Sequence, residues 1–534
     1  MATYWLIWDA ASKDIVDQML KEEKLPNVKK VYENGFGCRV KLKQFNCQTP
    51  CALAVQFTGI PLEKLKMGGY DTPNVDSEDI LGYTSAFKNE IVGEHVVWHR
   101  KVIGEKRGAL CQIPFYKKQQ NMLYPVDGFA HHKHKAQCIK KSELSWREER
   151  NETKYTVVEI FGTKFILELY EADDGELRTI LTDTKTDRKV RVQVDNCVLQ
   201  QNNFLWLDYK SGFRFYAYTL EDGDIIFIFT DVYQYNYDSI KDVFQFRKEN
   251  GPFFGRALGK MYRNGRFGKP IYDSGGGKAE KIYMNLLKNV ADYFDKLNTF
   301  IIRQDQYDFV ISYQPCIDEM SHEIYGWYLE HPENQVYKDM LYESYQLADQ
   351  HLGSIFKLAG EEDNVFLSSD HGIYSVNKVF YLNEYLRRKR MLVMTEEGKI
   401  DIQKSKAFFH PANTGALFLN PMLAQGERET LMCMVENIQI EDQKMISKVT
   451  NTKEKKIFGD YFIEPADNIN IRADLSGEIL EETNKRGCHT WGSEKKSMNA
   501  IFYGCGKQVR DMPKDMEIYN YEIKEIVGQC LKKS

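Results

Sequence analysis

Short apolar runs alternate with amphipathic stretches over the first sixty positions of the chain. YWLIW at 4–8 reads as a buried strand that stops at Asp9. IVDQMLKEE follows with helical spacing, then Pro26 opens NVKKVYEN, a second helix for which Gly35 is the stop. RVKLK is strand-like and leads into CQTP, after which ALAVQFTG reads as a short buried helix. Later, DFVISY and NVFLSS are two more apolar runs with strand character, and AEKIYMNLLKNVADYFDKL ahead of the first is helical. This alternation predicts an α/β fold: a central, mostly parallel sheet flanked by helices.

The middle differs. From Cys111 onward the helical period fades into TKYTVVEI, TKFILELYE, VRVQVD, FRFYAYTL and DIIFIFTDV, separated by turn signals such as DDG and EDGD. The expected organisation is a catalytic α/β domain whose first part is 1–110 and whose second is 246–534, interrupted by a β-rich insertion at 111–245 that serves as a lid or cap.

Composition narrows the class. The chain has 534 residues, 43% of them hydrophobic and 28% charged, with 72 basic against 77 acidic side chains and a net charge of −5. That balance gives no basic excess for a generic nucleic-acid binder, so no stable nucleic-acid complex is expected. Neither a secretory signal nor a run long enough to cross a bilayer is read. Eleven scattered cysteines without a CxxC pair suit free thiols in a reducing compartment. A cytoplasmic protein without membrane contact is expected, and a homo-oligomer is compatible with it.

Candidate chemistry sits where the apolar runs end. Asp9 follows YWLIW, Asp318 follows DFVISY and Asp370 follows NVFLSS, and ligands in such folds gather at the carboxyl ends of strands. Asp318 and His322 are four apart and would share one helix face; Asp370 and His371 are adjacent in SDHG, a turn sequence. His489 lies in RGCHTW. Carboxylates and imidazoles without thiolates suit divalent metals that activate oxygen nucleophiles. Thr49, in CQTPCALAVQFTG, is the candidate nucleophile; its alternative reading is a helix N-cap, and the two are compatible.

An early Asp after a strand, Thr49–Pro50 at a helix start, Thr58–Gly59 nine residues on, then Pro315, Asp318 and His322, then SDHG, then a late His: this order resembles the alkaline phosphatase superfamily, and within it the type I phosphodiesterase/nucleotide pyrophosphatase family. The resemblance covers roughly 1–110 and 250–510. It implies an alkaline-phosphatase-like sheet and two divalent metal ions, zinc first and manganese second. Asp318, His322 and His489 would hold one; Asp9, Thr49, Asp370 and His371 would hold the other. Asn74 would bind substrate phosphate. The implied activity is hydrolysis of a phosphodiester or pyrophosphate bond in a small nucleotide-like substrate, through a phosphothreonine at Thr49. Two departures stand out: Pro50 follows Thr49 directly, and His489 is followed by Thr490 and Trp491 rather than by glycine.

A phosphomonoesterase or a phosphonoacetate-type phosphonate hydrolase would use much the same metal set, and a non-catalytic nucleotide-binding relative is the reading from a different class. A sulfatase is excluded because Cys47 and Cys51 lack the Cys-x-Pro-x-Arg pattern. HHKHK at 131–135 reads as a loop beside a basic surface, GGGKAE at 275–280 fails the phosphate-loop spacing, and the tyrosines of DVYQYNYDS read as packing. Arg256, Lys260 and Arg263 are spaced to share a helix face, either solvated or facing a second anionic group.

Overall fold

The computed structural model describes residues 1–533 apart from 120, 127, 130–131, 149–152, 196–201, 237–240, 256–257 and 305. Its centre is an eight-stranded sheet, whose strands are numbered here: β1 (Thr3–Trp8), β2 (Gly35–Lys41), β3 (Gly108–Cys111), β4 (Met122–Leu123), β5 (Phe309–Gln314), β6 (Asn364–Ser369), β7 (Ala500–Cys505) and β8 (Met516–Tyr519). The spatial order is β8-β2-β7-β6-β1-β5-β3-β4. All neighbours run parallel except where β7 meets β6 and β2. The mostly parallel sheet expected from the sequence is thus present.

β1, β5 and β6 are buried on both faces, which is why YWLIW, FVISY and NVFLSS are nearly continuous apolar runs rather than alternating ones. Their register matters for function. Trp8 of β1 pairs with Gln314 of β5 and with Ser369 of β6. The next residues, Asp9, Pro315 and Asp370, therefore leave the sheet at one height. Helices α1 (Thr49–Thr58), α2 (Lys278–Ile302), α3 (Cys316–Glu330) and α4 (Gln335–Leu358) flank the sheet.

Two local expectations shift. Gly35 is not a helix stop: the helix ends at Glu33 and Gly35 opens β2, packed so closely on the paired strand that a Cβ there would lie 2.0 Å from Gly504 O. HHKHK is not a loop: His132–His134 pairs antiparallel with Val232–Tyr233, although residue 131 lies outside the described residues.

Within 137–233 the runs read as strands form antiparallel sheets, joined by Leu177–Asp183 between the second and third of them. Val158, Phe165, Leu167, Leu181, Phe213, Phe227 and others form a hydrophobic cluster of their own. The alternate face joins the main core through Tyr216, Tyr218, Ile226, Tyr233 and Tyr235. Tyr235 meets the Tyr293 hydroxyl of α2 and lies under the Arg247 guanidinium, 4.7 Å from its ring centroid, so that tyrosine is structural packing. The central sheet itself continues to Met122–Leu123, beyond position 110. No helix among the described residues is long and apolar enough to cross a membrane.

A further sheet, not separated in the sequence reading, is built on Tyr374–Tyr381, which pairs with Asn468–Arg472, Leu480–Glu482 and Gly487–Cys488. It delivers the late histidine.

Candidate metal centre

Each functional side chain reaches the site by a local device. β1 ends in a sharp turn: Ala10 has φ 60°, the left-handed region that a side chain adopts only when surroundings impose it. That turn aims the Ala10 amide at Asp370 Oδ1, 3.2 Å away, while the Asp9 amide bonds Gln314 O at 3.0 Å. Asp9 Oδ2 accepts from the buried Tyr313 hydroxyl on the neighbouring strand. Asp370 Oδ1 also accepts from the His371 amide at 3.0 Å, an arrangement that closes the SDHG turn. Gly372 is required there, since a Cβ would lie 2.1 Å from Ser497 O. Thr49 is the first residue of α1, and Gln48 is the N-cap, so the capping alternative for Thr49 is replaced by an N1 position. Its hydroxyl is aimed at His371 Nε2, 3.3 Å away.

Asp318 and His322 lie on the first turns of α3 and are within 3.4 Å of each other, Oδ1 to Nε2. His489 reaches them because Gly487 lets its strand press on α3. A Cβ at Gly487 would be 2.3 Å from the Ser321 carbonyl. His322 Nδ1 donates to Gly487 O at 2.7 Å, which fixes the tautomer and leaves Nε2 for a ligand. His489 Nε2 then lies 3.4 Å from Asp318 Oδ1 and 3.2 Å from His322 Nε2.

Two hubs result. Asp318 Oδ1 gathers His322 and His489. His371 Nε2 gathers Thr49, Asp9 Oδ1 at 3.3 Å and Asp370 Oδ2 at 3.2 Å, while its Nδ1 donates to Gly372 O at 2.9 Å. The hubs abut: the rings of His371 and His489 stack at 3.9 Å. Ligand-type atoms of Asp318, His322 and His489 converge within 4.8 Å, as do those of Asp9, Asp318 and His371, so Asp318 touches both groups. All seven residues named from the sequence around these hubs are brought together.

The donor set fits divalent cations. Asp318 Oδ1 and Asp370 Oδ2 are buried and accept no hydrogen bond, and the only ion-pair partners of these two carboxylates among the described residues are histidines. Buried carboxylates without Lys or Arg carry a large desolvation cost that a dication offsets. Burial pushes His322 down to about 4, with Asp318 opposing, and holds His489 well below its ordinary value with help from the neighbouring imidazoles. Both therefore present lone pairs at neutral pH. For His371 burial works downward but the carboxylates of Asp370, Asp9 and Asp318 together outweigh it and raise the ring to about 10. A proton there does what a cation would do.

A cavity of about 780 Å³ opens on one side of the site. Asp318, His322 and His489 line it, as do Gln48, Tyr70 and Trp491; Asp9, Thr49, Asp370 and His371 are buried and are not among the lining residues. Asn74 is elsewhere. It follows the short strand Asp71–Pro73, accepts from Thr84 Oγ1 at 2.9 Å and is outside the cavity lining. Lys260 and Arg263 do line it; Arg256 lies outside the described residues. The sequence gives no sign of Tyr313, hidden as one apolar position of a strand, whose hydroxyl bonds Asp9.

Residues 237–485 match the family described as type I phosphodiesterase / nucleotide pyrophosphatase. No curated protein matches the chain. Among solved structures, phosphonoacetate hydrolase from Sinorhizobium meliloti 1021 in complex with phosphonoacetate is 10% identical with a TM-score of 0.52, and its phosphonoformate complex is 9% identical with a TM-score of 0.51; each comparison covers 99% of this chain and 96% of that one. Murine ectonucleotide pyrophosphatase / phosphodiesterase 5 is 11% identical over 99% of this chain and 95% of its own, with a TM-score of 0.43. Over 237–485 the chain resembles the type I phosphodiesterase / nucleotide pyrophosphatase family in sequence, and along its length its fold resembles that of phosphonoacetate hydrolase.

Proposed function

We propose that this chain is a metal-dependent hydrolase that cleaves a phosphodiester or pyrophosphate bond of a small substrate, with Thr49 as nucleophile. The reading is carried by one observation: Asp9, Thr49, Asp318, His322, Asp370, His371 and His489 meet at the carboxyl ends of adjacent strands in two abutting hubs. Asp318, His322 and His489 would hold one divalent cation; Asp9, Thr49, Asp370 and His371 would hold the other. Zinc or manganese suits this oxygen and imidazole donor set. Such cations, when bound, supply Lewis acidity that neutralises phosphoryl charge and lowers the pKa of an oxygen nucleophile.

The protein's own contributions follow from the contacts. α1 orients Thr49 Oγ1 and directs its positive N-terminus at the same place, which favours an incoming phosphoryl anion. In the first step the Oγ1–P bond forms, the bond to the leaving oxygen breaks with its electron pair, and the Thr49 proton passes to solvent. Water then attacks phosphorus and restores the Thr49 hydroxyl. Carbonyls of Gly487 and Gly372 lock His322 and His371 through their Nδ1 atoms. Tyr313 occupies one oxygen of Asp9 and leaves the other facing His371.

A second reading, a phosphonate or phosphomonoester hydrolase, is favoured by the shared fold with a protein described as phosphonoacetate hydrolase. Stripping the protein with chelator and restoring Zn or Mn tests the metal claim. Hydrolysis of bis-p-nitrophenyl phosphate, p-nitrophenyl phosphate or phosphonoacetate should return only with metal, and which of the three is fastest separates the readings. Equal activity in stripped protein would remove the metal from the account.

A further inference from the structure

A second cavity, of about 890 Å³, shares no lining residue with the one beside the metal centre. It lies on the same edge of the central sheet. β2 and β8 run parallel and end at the paired residues Lys41 and Tyr519. β7 is antiparallel to both β2 and β6, so β2, β8 and β6 point the same way. Beyond the ends of β2 and β8 the cavity is lined by 41–45, by Tyr519 and Tyr521, and by Asn499 just ahead of β7. Ligands of such sheets gather at the carboxyl ends of the strands, and the volume suits one small molecule. Val55, on the helix that begins at Thr49, forms part of the wall.

Three features of the wall specify an occupant. Tyr519 and Tyr521 stack with ring centroids 5.5 Å apart and planes within 7°, yet each stays more than a third exposed. An open aromatic face of this kind favours a flat partner. Asn499 is more than nine-tenths buried, but its side-chain amide makes no hydrogen bond among the described residues and faces the cavity. Gln44 Nε2 is likewise buried and unpaired, while its Oε1 accepts from Asn520 at 2.6 Å. Unmet amides beside a cavity suit a ring edge that carries polar atoms. Charge supplies the third feature, since five lysines and three glutamates line the space. Lys448 and Lys455 pair within the wall, with Glu494 and Glu63 at 2.9 Å, and Glu464 shares Lys448 at 3.9 Å. Lys41 and Lys496 pair with Glu517 and Asp14 outside it. Lys43 has no ion pair among the described residues, and its ammonium lies 5.3 Å from the Tyr519 ring centroid. A ring laid on the tyrosine pair therefore brings its substituent to one cation that no carboxylate neutralises.

We propose that this cavity binds a small heteroaromatic anion. Its ring stacks on Tyr519 and Tyr521, the Asn499 amide bonds a polar atom of the ring edge, and its acid group, a phosphate or a carboxylate, meets Lys43. None of these residues lines the cavity at the metal centre, so the site stands or falls apart from the hydrolase reading.

The test is calorimetric and needs no turnover. The protein is titrated with two pairs of probes, AMP against adenosine and indole-3-acetate against indole. In at least one pair the anion should bind about tenfold or more tightly than its neutral counterpart, the scale of one charge-assisted hydrogen bond. The pair that shows it identifies the acid group as phosphate or carboxylate. In Lys43→Gln, a change at an exposed position, that ratio should fall below about twofold. Tyr521→Ala should instead weaken the anion and its neutral counterpart alike, by about tenfold, and Tyr521→Phe should restore both. No anion preference in either pair overturns the proposal. So does an anion preference that survives Lys43→Gln, which would put the ligand at the metal centre, or an affinity that Tyr521→Ala leaves unchanged.

Discussion

Gly487→Ala should loosen the centre without touching a ligand. The added Cβ would lie 2.3 Å from Ser321 O and 2.7 Å from Ile373 Cδ1, whereas ordinary contact begins at 3.4 Å. The obstacle on one side is backbone of α3, which cannot rotate away, so the strand Gly487–Cys488 must retreat by about 1 Å. His489 travels with it, and its 3.4 Å approach to Asp318 Oδ1 opens; the 2.7 Å bond from His322 Nδ1 to Gly487 O weakens at the same time. Overpacking of this kind costs about 1–3 kcal/mol of stability. Loss of an orienting partner typically costs about 10–100-fold in metal affinity, and a misplacement of about 1 Å costs up to about 10²-fold in rate. Denaturant unfolding of the metal-free protein reads the first effect, and competition against a chelator reads the second. Wild-type stability together with wild-type metal affinity would refute the claim that strand-to-helix contact at Gly487 builds the Asp318, His322 and His489 group.

Three other outcomes are expected. Tyr313→Phe removes the hydroxyl that holds Asp9 Oδ2 and should weaken metal affinity by about 10–100-fold with little change in the fold; affinity within twofold of wild type would assign Tyr313 to packing alone. His371, raised to about 10, stabilises the metal-free fold fully below its unfolded value near 6.5, and that contribution is lost as pH rises towards 10. Metal-free stability should accordingly fall between about pH 7 and 10, and metal binding near pH 8 should release about one proton, measured by calorimetry in buffers of different ionisation enthalpy; no proton release would contradict a protonated His371. Asn74→Ala, lying outside the cavity and bonded to Thr84, should change kcat/KM by less than about threefold; a hundredfold loss would restore it to the substrate.

The strand exits were legible because burial on both faces writes itself as an apolar run, and an acidic residue at its end is conspicuous. Asp9, Asp318 and Asp370 were placed on that basis. The order of strands was not legible, because the pairing of Trp8 with both Gln314 and Ser369 depends on partners hundreds of residues away. His489 carried little local signal: it rides on a two-residue strand, and its position follows from Gly487 meeting Ser321 O, a contact invisible in a linear pattern. Asn74 follows from the resemblance alone; in the structure it sits in the hairpin between Asp71–Pro73 and Tyr83–Ser85, where it accepts from Thr84.

The central claim is that Thr49 attacks phosphorus at a centre that holds two cations. It is tested most directly by turnover of bis-p-nitrophenyl phosphate in Thr49→Ala, loaded with Zn or Mn and compared with wild type at equal metal content. About two metals should bind per wild-type chain, nearly the same in the variant, and turnover should fall by at least about 10³-fold. A variant that keeps its metals and most of its activity would contradict it.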